Sequence, residues 1–332
     1  MHRITPPIPN LKISRTKSQT NPKLQTRKPQ ADDIRRLEFS GLGFEIRSVF
    51  GIRSFVVRML FVSLALAGLW LPGGGAVALA DAPQPFPGAK SAYRGFDRYD
   101  FEVDGQKCLV VTPKSAAPGR PWIWRAEFFD HRPEIDLALV EKGFHLVFMN
   151  VGNTFGCPSA MQHFDEFYKV LTTDHALSKK PVLEGLSRGG LYVYNWGAAH
   201  PDQVGVILGD NPVCDFKSWP GGKGKGPGSP NDWKKLFVDY GFKDEAEALA
   251  YDKNPIDNLA PLAKAKVPLL HICGDADEAV PYPENTVILK ARYEKLGGKI
   301  HVIVKPGFKH HPHGLDDPTP AVEFILKELG LK

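Results

Sequence analysis

The sequence predicts an α/β fold, in which helices flank a mostly parallel central sheet. Short apolar runs alternate with longer amphipathic stretches through most of the chain, a rhythm typical of parallel strands joined by crossover helices. Near the start of this region, Asp104-Gly105 separates two β-rich runs and indicates a hairpin. Further along, Gly185-Leu186-Ser187-Arg188-Gly189 lies between an apolar run and an amphipathic stretch. That order predicts a strand, a tight turn and a helix.

The predicted elements alternate in chain order. Strands are expected at these apolar or β-rich runs: 96–103, 107–112, 121–129, 144–151, 181–183, 203–209, 267–274 and 299–304. Helices are expected over these stretches: 133–142, 159–177, 191–200, 284–296 and 320–329. The rhythm breaks at residues 214–264, which are rich in Gly and Pro and follow the sixth predicted strand. This insertion is predicted to form a cap over the carboxyl edge of the sheet, where open α/β folds bind ligands.

The front of the chain differs in character from the rest. Residues 1–45 are polar and basic without helical or strand periodicity, and are predicted to be disordered or to lie upstream of the native protein. Residues 46–80 have the parts of a secretory signal peptide: arginines, a short apolar run and small residues before a cleavage position after Ala80. Residues 81–94 are predicted to be a Pro-rich linker, and residues 95–332 the folded domain.

The apolar run of the predicted signal peptide, Met59–Leu71, has 13 residues. Since a membrane-spanning helix needs about 20, cleavage is favoured over a membrane anchor. A secreted or periplasmic protein with no stable membrane anchor after cleavage is therefore expected. Met59 is also an alternative start of the native protein.

Charge and cysteine content narrow the function. Residues 1–80 hold 12 of the 42 Lys and Arg residues but only 4 of the 37 Asp and Glu residues, so the rest of the chain is slightly acidic. A nucleic-acid partner is therefore not expected. Export makes a Cys157–Cys214 disulfide a hypothesis, while Cys108 and Cys273 lie in apolar runs and are predicted to be buried thiols. No Cys/His spacing indicates zinc, and no metal or organic cofactor is expected.

Ser187 is the candidate nucleophile. A serine at a sharp turn between strand and helix is held in a strained conformation, with its hydroxyl exposed at the sheet edge. Gly185 and Gly189, two residues before and two after it, are predicted to let strand and helix approach without a Cβ clash. The helix that follows directs its free N–H groups at the place where an oxyanion would form.

Two later loops carry, one after the other, the acid and the base that a serine nucleophile needs. Gly274-Asp-Ala-Asp-Glu-Ala-Val-Pro281 follows the penultimate predicted strand, and Lys305-Pro-Gly-Phe-Lys-His-His-Pro-His313 follows the last one. With these motifs, residues 95–330 resemble the α/β-hydrolase superfamily, in particular secreted esterases and prolyl-oligopeptidase-like serine hydrolases. The resemblance implies Ser187 as nucleophile, Asp277 as acid and His310 as base. Asp275 and Asp210 remain alternatives for the acid, and His311 and His313 for the base.

The resemblance also implies two backbone N–H donors for the oxyanion. One is that of Arg188, directly after the nucleophile. The other belongs to the loop after the strand at 121–129, where the choice among Arg125, Ala126 and Glu127 falls on Ala126.

The sequence thus predicts a secreted serine hydrolase that cleaves carboxylic esters through an acyl-enzyme. Its expected substrate is a small-molecule or polysaccharide ester, and export suggests an acylated carbohydrate. Two alternatives stay open: a peptidase of the prolyl oligopeptidase clan, and a catalytically inactive binding module on the same fold. The oligomeric state is left open.

Overall fold

The computed structural model describes residues 84–332. The predicted upstream segment 1–45, the predicted signal peptide 46–80 and the first three residues of the predicted linker lie outside the described residues. Within residues 84–332, no helix combines the length and the apolar character needed to cross a membrane.

The described chain forms one nine-stranded sheet. Its strands are β1 (Ala89–Tyr93), β2 (Phe96–Val103), β3 (Gln106–Thr112), β4 (Trp122–Arg125), β5 (His145–Asn150), β6 (Val182–Leu186), β7 (Val206–Asp210), β8 (Leu269–Gly274) and β9 (Ile300–Lys305). They lie in the order β1-β2-β3-β5-β4-β6-β7-β8-β9. The pairs β1–β2, β2–β3 and β3–β5 are antiparallel, and all later pairs are parallel. The carboxyl ends of six strands therefore meet at one edge.

Helices cover both faces of this sheet. They are α1 (Glu134–Glu141), α2 (Pro158–Thr173), α3 (Gly189–Ala199), α4 (Pro230–Tyr240), α5 (Glu245–Ala250), α6 (Ala260–Lys264), α7 (Thr286–Lys295) and α8 (Thr319–Leu329). Apolar side chains of α1 and α8 are buried in one core cluster, and those of α2, α3, α6 and α7 in another. The central strands β6 and β7 are buried throughout. The predicted α/β class with a mostly parallel, doubly covered sheet is confirmed.

The edge strand β1 lies within the stretch predicted to be a linker. Four of its five residues are exposed and only Tyr93 is buried, so the strand lacks the apolar alternation by which strands are found in a sequence. It pairs with β2 through a two-residue turn, Arg94-Gly95, in which both residues have positive φ, +48° and +87°. Such turns match the twist of antiparallel strands.

Residues 214–264 form an insertion between β7 and β8 that contains α4, α5 and α6. It follows the seventh strand rather than the sixth because β1 adds a strand. Hydrogen bonds connect it to neighbouring loops, and two of them are typical: the Tyr240 hydroxyl donates to the Phe155 carbonyl oxygen at 2.9 Å, and the Ser218 hydroxyl to Glu284 Oε2 at 2.7 Å. These partners follow β5 and β8, so the insertion contacts loops at the carboxyl edge.

The cysteines are all buried and unpaired. The hypothesis of a Cys157–Cys214 disulfide is therefore wrong for this structure. Cys157 Sγ lies 3.2 Å from the Ser159 hydroxyl, and Cys214 Sγ donates to the Pro212 carbonyl oxygen at 3.4 Å. Each thiol thus has a local polar partner beside its own backbone.

Candidate active site

Three loops at the carboxyl edge bring Ser187, His310 and Asp277 together. Ser187 follows β6, Asp277 follows β8 and His310 follows β9. Ser187 Oγ lies 2.9 Å from His310 Nε2, and His310 Nδ1 lies 2.6 Å from Asp277 Oδ2. The side chain of Asp277 is 1% exposed and that of His310 14%. These contacts form a continuous path from hydroxyl through imidazole to a buried carboxylate.

The carboxylate of Asp277 is held by its own loop. Its Oδ1 accepts hydrogen bonds from the backbone N–H groups of Ala279, at 2.9 Å, and Val280, at 2.8 Å. Because both donors bind Oδ1, Oδ2 is directed at His310. This geometry keeps the carboxylate in one orientation and fixes which nitrogen of the imidazole faces it.

The backbone at Ser187 has the strained conformation expected at such a turn. Its φ is +48°, a region that residues other than Gly seldom occupy. The Ser187 N–H donates to the Asp210 carbonyl oxygen at 2.9 Å, and its carbonyl oxygen accepts from the N–H of Val213 at 2.8 Å. Bonds to the end of β7 and to the loop beyond it therefore hold the strained residue in place.

Of the two glycines predicted to allow a close backbone approach around Ser187, the structure requires only one. A Cβ at Gly185 would lie 2.6 Å from the Gly189 carbonyl oxygen, and one at Gly190 would lie 2.6 Å from the Val213 carbonyl oxygen. A Cβ at Gly189 would meet only Glu127 Cβ, at 3.6 Å, an ordinary contact. The prediction is thus right for Gly185 and wrong for Gly189, since close backbone approach occurs at Gly190 instead.

The alternative acids and bases lie elsewhere. Asp275 accepts a hydrogen bond from the Gly307 N–H at 2.6 Å and is exposed. Asp210 is buried and pairs with His313, whose Nδ1 lies 2.9 Å from Asp210 Oδ1. Of the three neighbouring histidines, His310 is the one within hydrogen-bonding distance of both Ser187 and Asp277.

Ala126 does not fit the role of oxyanion donor. Its N–H donates to the Glu184 carbonyl oxygen at 3.0 Å and so continues the pairing between β4 and β6. Within residues 84–332, the N–H groups of Glu127 and Arg188 have no hydrogen-bond partner. Glu127 N would lie 4.0 Å from a Cβ at Gly189, next to the start of α3. The second free donor beside Ser187 is therefore Glu127, one residue beyond the predicted one.

An ion pair joins the two residues that carry these free donors. Arg188 Nε donates to Glu127 Oε2 at 2.6 Å, and the Arg188 guanidinium lies 4.7 Å from the Phe128 ring centroid. Burial raises the pKa of Glu127, and the Arg188 charge partly offsets that rise. A cavity of about 180 Å³ adjoins the pair, lined also by residues 148–153. The ion pair sets the distance between the loop after β4 and the start of α3.

Sequence reasoning missed Asn211, which follows β7. Its Nδ2 donates to the His310 carbonyl oxygen at 3.0 Å, and its Oδ1 accepts from the Gly274 N–H at 2.8 Å. One side chain thus ties the loop of the base to the strand that precedes the acid. A polar residue directly after an apolar strand, at the same edge as Ser187, is the signal that could have identified it.

Three further histidines lie beside His310. His131 follows β4, and His311 and His313 lie on the same loop as His310. Partial desolvation and the neighbouring His313 lower the pKa of His131. Partial desolvation and the adjacent His313 and His310 lower the pKa of His311. His131, His311 and His313 are the group within residues 84–332 whose spacing suits a metal ion.

The fold and this arrangement define an α/β-hydrolase. The model of the prolyl oligopeptidase family matches residues 164–330, which is half of the chain and includes Ser187, Asp277 and His310. The chain belongs to the prolyl oligopeptidase family, a family of hydrolases. The resemblance inferred from the sequence motifs is confirmed. No curated protein matches the chain.

Solved structures share the fold at low sequence identity. A puromycin-hydrolyzing peptidase from Mycobacterium tuberculosis has a TM-score of 0.56 and 14% identity, over 71% of this chain and 40% of its own. Dipeptidyl peptidase 4 from Porphyromonas gingivalis has a TM-score of 0.54 and 12% identity, over 71% of this chain and 36% of its own. Est1E from Butyrivibrio proteoclasticus has a TM-score of 0.51 and 18% identity, over 70% of this chain and 99% of its own. The chain thus spans about two fifths of the two peptidases.

Proposed function

We propose that this protein is a serine hydrolase that cleaves carboxylic esters through an acyl-enzyme. The observation that carries the proposal is the pair of contacts made by His310, to Ser187 Oγ at 2.9 Å and to Asp277 at 2.6 Å. Together they supply a nucleophile, a base and an orienting acid, the set that this chemistry requires.

In the first step, Ser187 Oγ attacks the ester carbonyl carbon while His310 Nε2 takes the hydroxyl proton. Asp277 stabilises the imidazolium that forms and remains ionised itself. The carbonyl oxygen becomes an oxyanion, to which the N–H groups of Arg188 and Glu127 donate. The tetrahedral intermediate collapses with cleavage of the bond to the alcohol, and His310 returns the proton to the leaving oxygen.

In the second step, water hydrolyses the acyl-enzyme. His310 takes a proton from the water as its oxygen attacks the acyl carbon, and the same N–H groups again stabilise the oxyanion. Collapse releases the carboxylic acid, and His310 returns its proton to Ser187 Oγ. The strained backbone at Ser187, with φ at +48°, holds the hydroxyl at the sheet edge through both steps.

The choice between an ester and a peptide substrate has weaker support than the serine mechanism itself. The chain matches 99% of the length of Est1E, an esterase, but about two fifths of the two peptidases. This favours an ester substrate. Membership of the prolyl oligopeptidase family favours the second candidate, a peptidase that cleaves amide bonds. We further propose export, from the signal-peptide features of residues 46–80, and an acylated carbohydrate as the ester.

Labelling by a fluorophosphonate tests the nucleophile. The probe forms a bond from phosphorus to an activated serine oxygen and releases fluoride, with the serine proton passing to the base. We expect labelling of the wild type and of Ser91→Ala, which changes an exposed serine of the edge strand β1. Ser187→Ala is expected to remain unlabelled. Equal labelling of Ser187→Ala, or none of the folded wild type, would refute the assignment.

Paired substrates test the bond that is cleaved. We expect turnover of p-nitrophenyl acetate by the wild type, with a burst of p-nitrophenol if deacylation is slow. A prolyl-peptide amide is expected to react far more slowly. Turnover of the amide without turnover of the ester would replace the proposal by the peptidase reading and leave the serine mechanism in place.

A further inference from the structure

Three histidines from two loops meet next to the candidate active site. His131 lies on the loop after β4, and His311 and His313 lie on the loop after β9, which also carries His310. The ring centroids are 4.8 Å apart for His311 and His313, 5.6 Å for His131 and His313, and 6.0 Å for His131 and His311. One nitrogen of each ring lies within 4.8 Å of the nitrogens of the other two.

The hydrogen bonds of these rings leave ligand atoms free. His313 is buried, and its Nδ1 is bound to Asp210 Oδ1 at 2.9 Å, so its Nε2 remains available. Asp210 is itself fixed, since Oδ2 accepts a hydrogen bond from the Gly314 N–H. A carboxylate that binds the second nitrogen of an imidazole is the usual support of a metal-ligating histidine. Within residues 84–332, the rings of His131 and His311 make no hydrogen bond.

We propose that His131, His311 and His313 form a three-histidine site for Zn²⁺ or another divalent transition-metal ion that prefers imidazole. Three imidazole ligands with an open fourth position are a known coordination set for zinc. Ligand nitrogens of tetrahedral zinc lie about 3.3 Å apart, so the rings must approach one another on binding. His131 and His311 are exposed and can turn about their side-chain bonds, whereas Asp210 holds His313.

A bound ion would connect two parts of the active site. His131 lies four residues beyond Glu127, whose N–H is a free donor beside Ser187. His311 follows His310 directly, with the two ring centroids 5.0 Å apart. Coordination therefore fixes the loop that carries the base against the loop that carries an oxyanion donor. In this role His131 and His311 are positioning residues for His310.

Metal titration of the full chain tests the site directly. Chelator-treated wild type is titrated with ZnCl₂ by calorimetry, and with CoCl₂ while the visible d–d bands of four-coordinate Co²⁺ are followed. We expect one ion per chain. Loss of one ligand in His131→Gln or His311→Gln is expected to weaken binding at least about tenfold. Both residues are exposed, so the metal-free variants should melt at the wild-type temperature.

His301→Gln is the matched control. His301 is exposed on β9, its ring stacks against Phe324, and it is no part of the cluster. Binding by this variant is expected to equal that of the wild type. Absence of stoichiometric binding by the wild type, or equal affinity in all three variants, would overturn the proposal. Ser187→Ala should also bind the ion, because Ser187 is not a ligand. Since the experiment measures binding rather than turnover, its outcome is independent of the proposed ester hydrolysis.

Discussion

Asp277→Asn is the sharpest test of the relay, because the structure dictates how the new amide must lie. Oδ1 of Asp277 accepts two backbone N–H groups, those of Ala279 and Val280. In the variant, the amide oxygen must occupy that place, since an NH₂ group there would face two donors. The NH₂ group then points at His310 Nδ1, 2.6 Å from the present Oδ2.

This orientation inverts the tautomer of His310. Because the amide donates to Nδ1, the imidazole proton moves to Nε2, which faces Ser187 Oγ. A protonated Nε2 cannot accept the serine proton. The corresponding change in a serine protease triad lowers kcat about 10⁴-fold, and a loss of that size is about 5.4 kcal/mol of transition-state stabilisation. We expect a similar loss here.

The assay is kcat for p-nitrophenyl acetate, with melting temperature as the check on folding. Asp275→Asn is the matched control, because Asp275 is two residues away and its side chain binds only the Gly307 N–H among the described residues. It is expected to keep kcat within about threefold of the wild type, because this exposed side chain has no hydrogen bond to Ser187, His310 or Asp277. A folded Asp277→Asn that keeps more than about a tenth of the activity would contradict the assigned tautomer.

Three other predictions concern the oxyanion loop, the turn at Ser187 and one buried histidine. Glu127→Ala removes the ion pair to Arg188, which sets the distance between the two oxyanion donors. The variant is expected to lower kcat about 10- to 100-fold with little change in KM, which is less than the loss of a whole oxyanion donor would cause. Glu127→Gln keeps an acceptor for Arg188 and should restore most of kcat in the same steady-state assay. Gly185→Ala places a Cβ 2.6 Å from a backbone oxygen and is expected to lower the free energy of unfolding in urea by about 3 kcal/mol. Gly189→Ala meets only an ordinary contact at the start of α3 and should change the free energy of unfolding by less than about 1 kcal/mol, with no loss required. Burial lowers the pKa of His145 to about 4. As the pH falls, the unfolded chain therefore binds this proton first, and the contribution of His145 to the free energy of unfolding should fall from about pH 6.5 to pH 4 by at most about 1.4 kcal/mol per pH unit. Since His271 is also buried and titrates in the same direction, His145→Gln should reduce the slope without removing it. A slope equal to that of the wild type in urea titrations would contradict the assigned shift.

The parts of the fold that could be predicted are those with a period in the sequence. The central strands and the covering helices bury a regular apolar pattern, so their order and the edge at which Ser187, Asp277 and His310 meet follow from the alternation of elements. The edge strand β1 carries no such pattern, because one residue of its five is buried. Its pairing depends on a turn with positive φ, which residue types alone indicate only weakly.

The candidate site shows the same division. Ser187, Asp277 and His310 could be predicted because each lies in a short motif of consecutive residues. The second oxyanion donor depends on where β4 stops pairing, and the register with β6 uses the N–H of Ala126 and leaves that of Glu127 free. Asn211 and His131 act through partners that are more than about 60 residues away in sequence. Contacts between residues so far apart leave no local pattern in the sequence, so only the folded structure reveals them.

The four unpaired cysteines can report which part of the protein opens first. Each is at most 3% exposed, and burial raises the pKa of Cys108 and of Cys273 to about 12. Since the thiolate is the reactive form, an alkylating reagent has almost nothing to attack while the chain is closed. The four thiols lie on β3, before α2, after β7 and on β8. Mapping which of them is alkylated first would therefore show which part of the sheet loosens first, without any added label.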